Sequence, residues 1–340
     1  MVKIRLGMIG LGRFAELHAR ILSRIPNVEV VALCDRNSER HDRFREWFPD
    51  ARFYVEWSDM LATAVLDAVD VLTPEHLHME PVKAALSQGL HVFVEKPLAH
   101  NPEAAAELVQ EAETNRGILM TGHLLRFDPR YAAVKERLAK GDFGSIRSIY
   151  AKRNNWKSAF STYNRIEPVY ILGIHDIDLM HWYMEDDVRQ VYATRSAPDG
   201  SEAADMNWAI LHFNKGGIGI IECNWLLPDR GPSFQDVRME IMAETGSVQI
   251  IDPEYGVTYI DESGLDVPAI LNFHETHGRL KGPLIDELEH FVDCVSAGKH
   301  SDILKPVDSY RAVRVAWAVL QSAKTGQPVD LPQLMVGNKV

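Results

Sequence analysis

Four features hold residue types at spacings that chemistry needs. Gly10-Leu11-Gly12-Arg13-Phe14-Ala15 is a G-x-G-x-x-A turn, and Asp35 stands 20 residues after Ala15. Gly10 permits a tight turn, Gly12 lets backbone approach a pyrophosphate, and Ala15 keeps helix and strand close. Asp35 offers its carboxylate to the hydroxyls of an adenosine ribose. These two features together point to a bound dinucleotide. His91-Val92-Phe93-Val94-Glu95-Lys96-Pro97 runs an apolar strand into an acid, a base and a proline. Its charges read either as a strand-end ion pair or as a ligand-facing pair. Gly173-Ile174-His175-Asp176-Ile177-Asp178 sets an imidazole among carboxylates. It reads either as a core-facing histidine with solvated aspartates or as part of a site. A metal on His175, Asp178 and His181 is disfavoured, because one helix without an H-x-x-x-H spacing converges its ligands poorly.

The elements around these residues must position them. Ile4 to Ile9 reads as a strand, and Val28 to Cys34 as a second. Between them a helix carries Phe14, Leu17, His18, Ile21, Leu22 and Ile25 at three-to-four spacing. Its first N–H groups, with Arg13 and Phe14, face the phosphates. Asp35 favours NAD, since a carboxylate repels a 2′-phosphate. Arg36 beside it could clamp such a phosphate, which keeps NADP as the alternative. Strands at Arg52 to Val55, Ala68 to Leu72, Val92 to Val94 and Ile118 to Thr121 alternate with further helices. Six strands in this alternation predict a doubly wound Rossmann domain over residues 1–122. Thr73-Pro74 and Glu95-Lys96-Pro97 then fall at the carboxyl edge of its parallel sheet, where ligands bind in open α/β folds.

A chain of 340 residues, 46% hydrophobic and 25% charged, is ordinary for a globular protein of two domains. The net charge of −12 argues against nucleic acid or an anionic membrane as partner. It does not exclude a phosphate held by backbone N–H groups. No run of about 18 apolar residues occurs, and the first residues enter a strand without a charged-then-apolar signal. Cys34, Cys223 and Cys294 are far apart and show no C-x-x-C spacing, which fits a reducing cytoplasm better than zinc or disulfides.

From Gly144 onward the pattern changes to long strands: 146–156, 188–196, 207–213, 217–225, 236–243, 247–252 and 257–260. Asn214-Lys215-Gly216-Gly217 and Thr245-Gly246 are turn signals. The second domain, residues 123–340, is therefore an α/β domain with a large, mainly antiparallel open sheet. One broad face of that sheet suits a partner subunit. A helix over 169–184 carries Ile171, His175, Leu179 and Trp182 on one face. The terminal helices at 283–296 and 307–325 read as structural.

Taken in order, these stretches resemble the glucose–fructose oxidoreductase / inositol dehydrogenase / rhizopine-catabolism (Gfo/Idh/MocA) family. The marks are Gly10-Leu11-Gly12, Thr73-Pro74 with His78, Glu95-Lys96-Pro97 and Arg126-Phe127-Asp128-Pro129-Arg130-Tyr131. Gly173 to Asp178 and a tail of Glu287-Leu288-Glu289-His290-Phe291 with Val329 complete the set. The resemblance implies an NAD(P)-dependent dehydrogenase acting on a carbinol carbon of a sugar, cyclitol or nucleotide sugar. It also implies a C-terminal sheet that forms the subunit interface of a homodimer or homotetramer. By the same resemblance Lys96 reaches the substrate hydroxyl, and Glu95 lies near the nicotinamide ribose. Thr73, Pro74 and His78 line the nicotinamide end, His175 is the general base, and the Lys96–Pro97 peptide is cis. The chemistry agrees: hydride leaves a C–H only as the adjoining oxygen loses its proton, which an imidazole accepts and an ammonium eases. Arg126, Trp156, Tyr163, Tyr170 and Asp176 are the candidate substrate residues. Arg153, Asn164, Arg165 and His274-Glu275-Thr276-His277 are further pocket candidates, since polar groups with aromatic faces suit a polyhydroxylated ring.

The chain departs from the family pattern at Ile171, where many members carry an aspartate one turn before the histidine. Glu167-Pro168-Val169 replaces a usual glycine pair, and Glu75 stands where asparagine is common. Glu167 and Asp178 are the candidates to compensate. Ile171 suggests a second function, a dinucleotide-binding sensor or partner protein that has lost dehydrogenase activity. A third is NAD-assisted glycosidase or lyase chemistry on the same fold.

Overall fold

The computed structural model describes residues 3–198, 200–253, 257–261, 264–267 and 274–334. Of these, residues 3–124 and 275–310 cluster as one compact unit, and the described residues of 125–274 with 311–334 as another.

The first unit is built on a six-stranded parallel sheet of β1 (Ile4–Ile9), β2 (Val28–Cys34), β3 (Arg52–Tyr54), β4 (Ala68–Val71), β5 (His91–Val94) and β6 (Leu119–Thr121). Helices α1 (Arg13–Leu22), α2 (Glu39–Phe44), α3 (Trp57–Thr63), α4 (Met79–Ser87) and α5 (Pro102–Thr114) connect them. The order β3-β2-β1-β4-β5-β6 reverses direction between β1 and β4, the switch point where such sheets bind ligands. Val92, Phe93 and Val94 are fully buried, as an unbroken apolar run on a two-sided sheet requires. Asn101 caps α5 by accepting from the Ala104 N–H at 2.8 Å, with Pro102 at the first helical position.

The helix Pro283–Ala297 packs in this first unit, although it lies within the 123–340 stretch expected to form the second domain. Its Phe291 meets Phe93 edge-on at 5.6 Å, and Asn27 donates to Ser296 at 3.1 Å. An apolar helix face shows only that it covers something; helical periodicity cannot say which sheet.

The second unit holds β7 (Ile146–Trp156), β8 (Val188–Ser196), β9 (Met206–Phe213), β10 (Ile218–Leu227), β11 (Gln235–Ala243) and β12 (Ser247–Asp252). Their order is β12-β11-β7-β10-β9-β8, closed at the β8 edge by Val329–Asp330. Only β7 and β10 run parallel; the other pairs are antiparallel. Side chains alternate between two faces. Ile149, Ala151, Leu211, Ile221, Val237 and Met239 are buried on one. Tyr192, Trp208, Ile210, Leu226, Met242 and Ile251 stay exposed.

Helix α6 (Pro129–Ala139) is capped by Asp128, and α7 (Ile174–Met184) carries the His175 stretch. Residues Val169–Gly173 form a π-helical turn ahead of α7, where one helix over 169–184 was expected. A Cβ on Gly173 would lie 3.3 Å from the Cys223 sulfur, so glycine lets this turn press onto β10. The strand expected at 257–260 appears as Tyr259–Asp261. Among the described residues no helix is long and apolar enough to cross a membrane.

Candidate active site

The first unit assembles a nucleotide cradle at the carboxyl ends of β1 and β2. Gly10 has φ +93°, and a Cβ there would sit 2.8 Å from the backbone of Leu72 and Thr73. Only glycine fits both demands. Gly12 caps α1, and nothing lies within 4 Å of where its Cβ would be. That open approach to the α1 N–H groups is what a pyrophosphate needs. Arg13 and Phe14 follow, both exposed.

Asp35 is already ordered. It accepts from the Leu11 N–H at 2.8 Å and the Asn37 N–H at 2.8 Å, and Arg40 pairs with it at 3.0 Å. Arg36 instead reaches Glu56 at 3.2 Å. The guanidinium beside the Asp35 carboxylate is therefore that of Arg40, which carries no signal in the sequence pattern.

At the next two strand ends, Thr73 is half-buried, Pro74 exposed and His78 buried. The His78 ring bridges the Thr73 and Pro97 carbonyls, each at 2.8 Å. Burial pushes its pKa down, while the two carbonyl acceptors work against that shift. His78 thus ties the Thr73-Pro74 turn to Lys96-Pro97, whose peptide is cis. Lys96 itself is half-buried.

Glu95 lies beneath Lys96. One carboxylate oxygen accepts from the Lys96 N–H at 3.1 Å; the other stands 3.5 Å from His18 Nε2. His18 Nδ1 is bonded to Asp70 at 2.9 Å. Both His18 and Asp70 are fully buried. Burial works against a charged ring there, but the carboxylates of Asp70 and Glu95 outweigh it and push the pKa up to about 10. Neither His18 nor Asp70 was read as functional. The available signal was Asp70 itself, a carboxylate inside a wholly buried strand, which must find a partner.

The second unit holds the histidine stretch. Along α7 the aspartates are not solvated, which corrects that reading. Asp176 takes two bonds from Arg153 of β7, at 2.9 and 2.8 Å. Asp178 takes two from Arg126, at 2.9 and 2.6 Å. Burial disfavours the Arg153 charge, but Asp176 and the Tyr131 hydroxyl reverse this and raise its pKa. The His181 Nδ1 bonds the Ile177 carbonyl at 2.9 Å. Among the described residues no group of three His, Cys, Asp or Glu side chains could hold a metal.

His175 is half-buried, in contrast to its buried neighbours Ile174, Asp176 and Ile177. Ile171 sits one turn back on the π-helical segment. Glu167 is engaged by Arg195 at 2.7 Å and Asn207 at 3.1 Å, and Asp178 by Arg126. Both proposed substitutes for an aspartate at 171 are therefore already bonded elsewhere.

Of the substrate candidates, Arg126, Tyr170 and Asp176 are buried in this framework. Trp156 and Tyr163 are half-buried. Trp156 donates to the Ser233 carbonyl at 2.9 Å, and Tyr163 stacks on Trp225 at 5.1 Å. Asn164 and Arg165 are exposed. Glu275 belongs to the first unit, where it pairs with Arg20 at 2.5 Å.

Residues 4–123 match the family model of the GFO/IDH/MocA oxidoreductases with an NAD-binding Rossmann fold. Residues 131–249 match the GFO/IDH/MocA C-terminal domain. The chain belongs to the Gfo/Idh/MocA family. It is an oxidoreductase with an NAD-binding domain. Across this family it is 25% identical to the scyllo-inositol 2-dehydrogenase (NAD(+)) of Bacillus subtilis, covering 97% of this chain and 96% of that one. It is 26% identical to the myo-inositol 2-dehydrogenase of Thermotoga maritima, covering 98% and 100%. The crystal structure of myo-inositol 2-dehydrogenase from Lactobacillus plantarum superposes with a TM-score of 0.84 at 26% identity, covering 97% and 100%.

Proposed function

We propose that this oxidoreductase transfers hydride to or from a carbinol carbon of a cyclitol or related sugar, with Lys96 and His175 handling the hydroxyl proton. The observation that carries the reading is the β5 strand end. It presents Lys96 on the same sheet edge as the glycine turn, in a chain similar from end to end to inositol 2-dehydrogenases. Gly10, Gly12, Arg13, Phe14 and Asp35 hold the adenosine diphosphate part of NAD; Thr73, Pro74 and Glu95 border its nicotinamide end. His78 braces that end rather than touching the ligand, and Arg36 is not needed, since it pairs with Glu56. Bound NAD supplies the hydride acceptor.

The chain's own residues manage charge and protons. As hydride departs, negative charge grows on the substrate oxygen. The Lys96 ammonium steadies it, worth about 3–4 kcal/mol or a hundred- to thousandfold in rate. His175, the partly exposed polar group of its stretch, takes the proton. Trp156 and Tyr163 offer ring faces to the substrate. The apolar outer face of the seven-stranded sheet joins two or four copies of the chain. Three buried free thiols suit the reducing cytoplasm.

The test is NADH formation from a panel of inositols and sugars. We expect turnover by the wild type. Lys96→Met should cut kcat on the order of a thousandfold while NAD affinity stays within about twofold. Equal losses in both would make Lys96 structural, and full turnover by His175→Asn would remove the histidine from the reaction. Ile171 favours a second reading, a dinucleotide-binding sensor without turnover. NAD binding with no NADH from any polyol would support that, whereas substrate loss without net NADH would indicate glycosidase or lyase chemistry.

A further inference from the structure

We propose that His18 is a positioning residue for Lys96, acting through Glu95 from within the nucleotide-binding helix. The inference rests on the reading of Lys96 given above. Four observations carry it, all inside the first unit.

His18 is fully buried on α1, one turn after Phe14. Its two ring nitrogens face carboxylates from two different strands, Asp70 on β4 at 2.9 Å and Glu95 at the end of β5 at 3.5 Å. Its faces and edges meet aromatic rings, Phe14 at 5.2 Å and Phe93 at 5.7 Å. Rings there shield the imidazole from water, so its nitrogens depend on the bond to Asp70 and on the approach of Glu95.

Glu95 is likewise held on each side. Its second oxygen accepts from the Lys96 N–H. Gly122 at the end of β6 leaves it room, for a Cβ there would stand 2.6 Å from Glu95 Oε1. A carboxylate so confined cannot turn away without giving up the imidazole, the Lys96 N–H, or both. The chain Asp70–His18–Glu95–Lys96 therefore links α1, whose first N–H groups serve the pyrophosphate, to the backbone that carries the reacting ammonium. His18 touches neither substrate nor cofactor in this scheme. Its effect on the reaction is to fix where Lys96 stands.

A plain core histidine would predict a different outcome. It would bind one partner, stay neutral, and matter only for stability. The Asp70 pairing alone would serve that purpose; the approach to Glu95 and the glycine opposite would have no use.

The experiment compares wild type, His18→Gln, Glu95→Gln and the double variant. We expect His18→Gln to lower kcat on the order of a hundredfold, the scale of an ångström's misplacement at a reacting group, with KM for NAD within about threefold. On the Glu95→Gln background the same change should cost less than about threefold, because the route through Glu95 is already cut. Additive losses, or a rise in KM for NAD that matches the loss in kcat, would overturn the proposal. Two measurements stand apart from turnover, and the first needs no variant. The ¹⁵N shifts of the His18 ring in the wild type should be those of an imidazolium at neutral pH; a neutral ring overturns the proposal. The ¹³C-methyl signal of reductively dimethylated Lys96 should move in Asp70→Asn, which loosens His18 from behind, and an unmoved signal overturns it too. Absence of polyol turnover in the wild type would count against the dehydrogenase reading alone, leaving these two spectroscopic results to decide the role of His18.

Discussion

In the second unit two buried guanidiniums each meet one carboxylate through two short bonds, Arg153 with Asp176 and Arg126 with Asp178. In the first unit one imidazole lies between two carboxylates, bonded to Asp70 at 2.9 Å and only approaching Glu95 at 3.5 Å. The remaining oxygen of Asp70 has no hydrogen-bond partner among the described residues. A fork-to-fork pair is satisfied, directional and neutral overall, so it fixes backbone and then does nothing more. The imidazole set leaves Asp70 Oδ1, Glu95 Oε1 and His18 Nε2 without a hydrogen-bond partner among the described residues. Incomplete satisfaction of this kind is tolerated where the surroundings use it, and here the surroundings are Lys96 and the glycine turn.

The largest effect expected from this contrast is on stability. Arg153→Met leaves Asp176 charged, fully buried and alone, which should cost about 3–5 kcal/mol in urea unfolding. Changing Asp176 to Leu as well should restore most of it, since an apolar pair avoids the desolvation penalty. A cost below about 1 kcal/mol for the single variant would mean water reaches the site and the pair is not framework.

The imidazole set should respond to pH where the guanidinium pairs do not. The ring's folded pKa, about 10, lies above its unfolded value of 6.5. Its contribution to stability is therefore complete below the unfolded value and is lost as pH rises through about 10. Burial also raises the Asp70 pKa, so that group adds no stability at alkaline pH. Denaturant midpoints measured from pH 7 upward should fall toward pH 10 in the wild type, and His18→Gln should flatten the fall. An unchanged slope would show that the ring is neutral when folded.

These networks also mark how far the sequence was legible. The glycine turn, Asp35 and the strand into Glu95-Lys96-Pro97 are local patterns, because a tight turn and a two-sided strand constrain neighbouring residues only. The strands of the second sheet were legible for the same reason: β7, β8 and β12 begin and end where alternation does. What failed was long-range pairing. Asp176 meets a residue 23 positions away, His18 one 52 away, and Arg126 one 52 away. A histidine on an apolar helix face looks the same whether its partner is a water, a carbonyl or a buried acid. The π-helical turn at Val169–Gly173 was unreadable because a widened turn keeps the apolar spacing of an α-helix over so short a span.

Gly122→Ala probes the looser network with a single methyl group. The added carbon would press on Glu95 Oε1 from 2.6 Å, and the confined carboxylate must shift. We expect a cost of about 1–3 kcal/mol in stability and a drop in kcat at unchanged NAD affinity. The same substitution at Gly12, where nothing lies within 4 Å, should leave stability nearly intact and weaken NAD binding instead.

The smallest effect concerns charges outside both networks. Arg36 and Glu56 are exposed, and such a pair is worth at most about 1 kcal/mol because water screens both partners. Arg36→Ala should therefore leave stability and the preference for NAD over NADP almost unchanged. Arg40→Ala should act differently, although its side chain is also largely exposed, because Arg40 offsets the charge of Asp35 at 3.0 Å. Without that cation the carboxylate would repel a 2′-phosphate more strongly, and the kcat/KM ratio of NAD to NADP should rise a fewfold. If instead Arg36→Ala moved the ratio and Arg40→Ala did not, the guanidinium beside the ribose would be that of Arg36 when cofactor binds. The Glu56 pairing would then be a resting arrangement that the phosphate displaces.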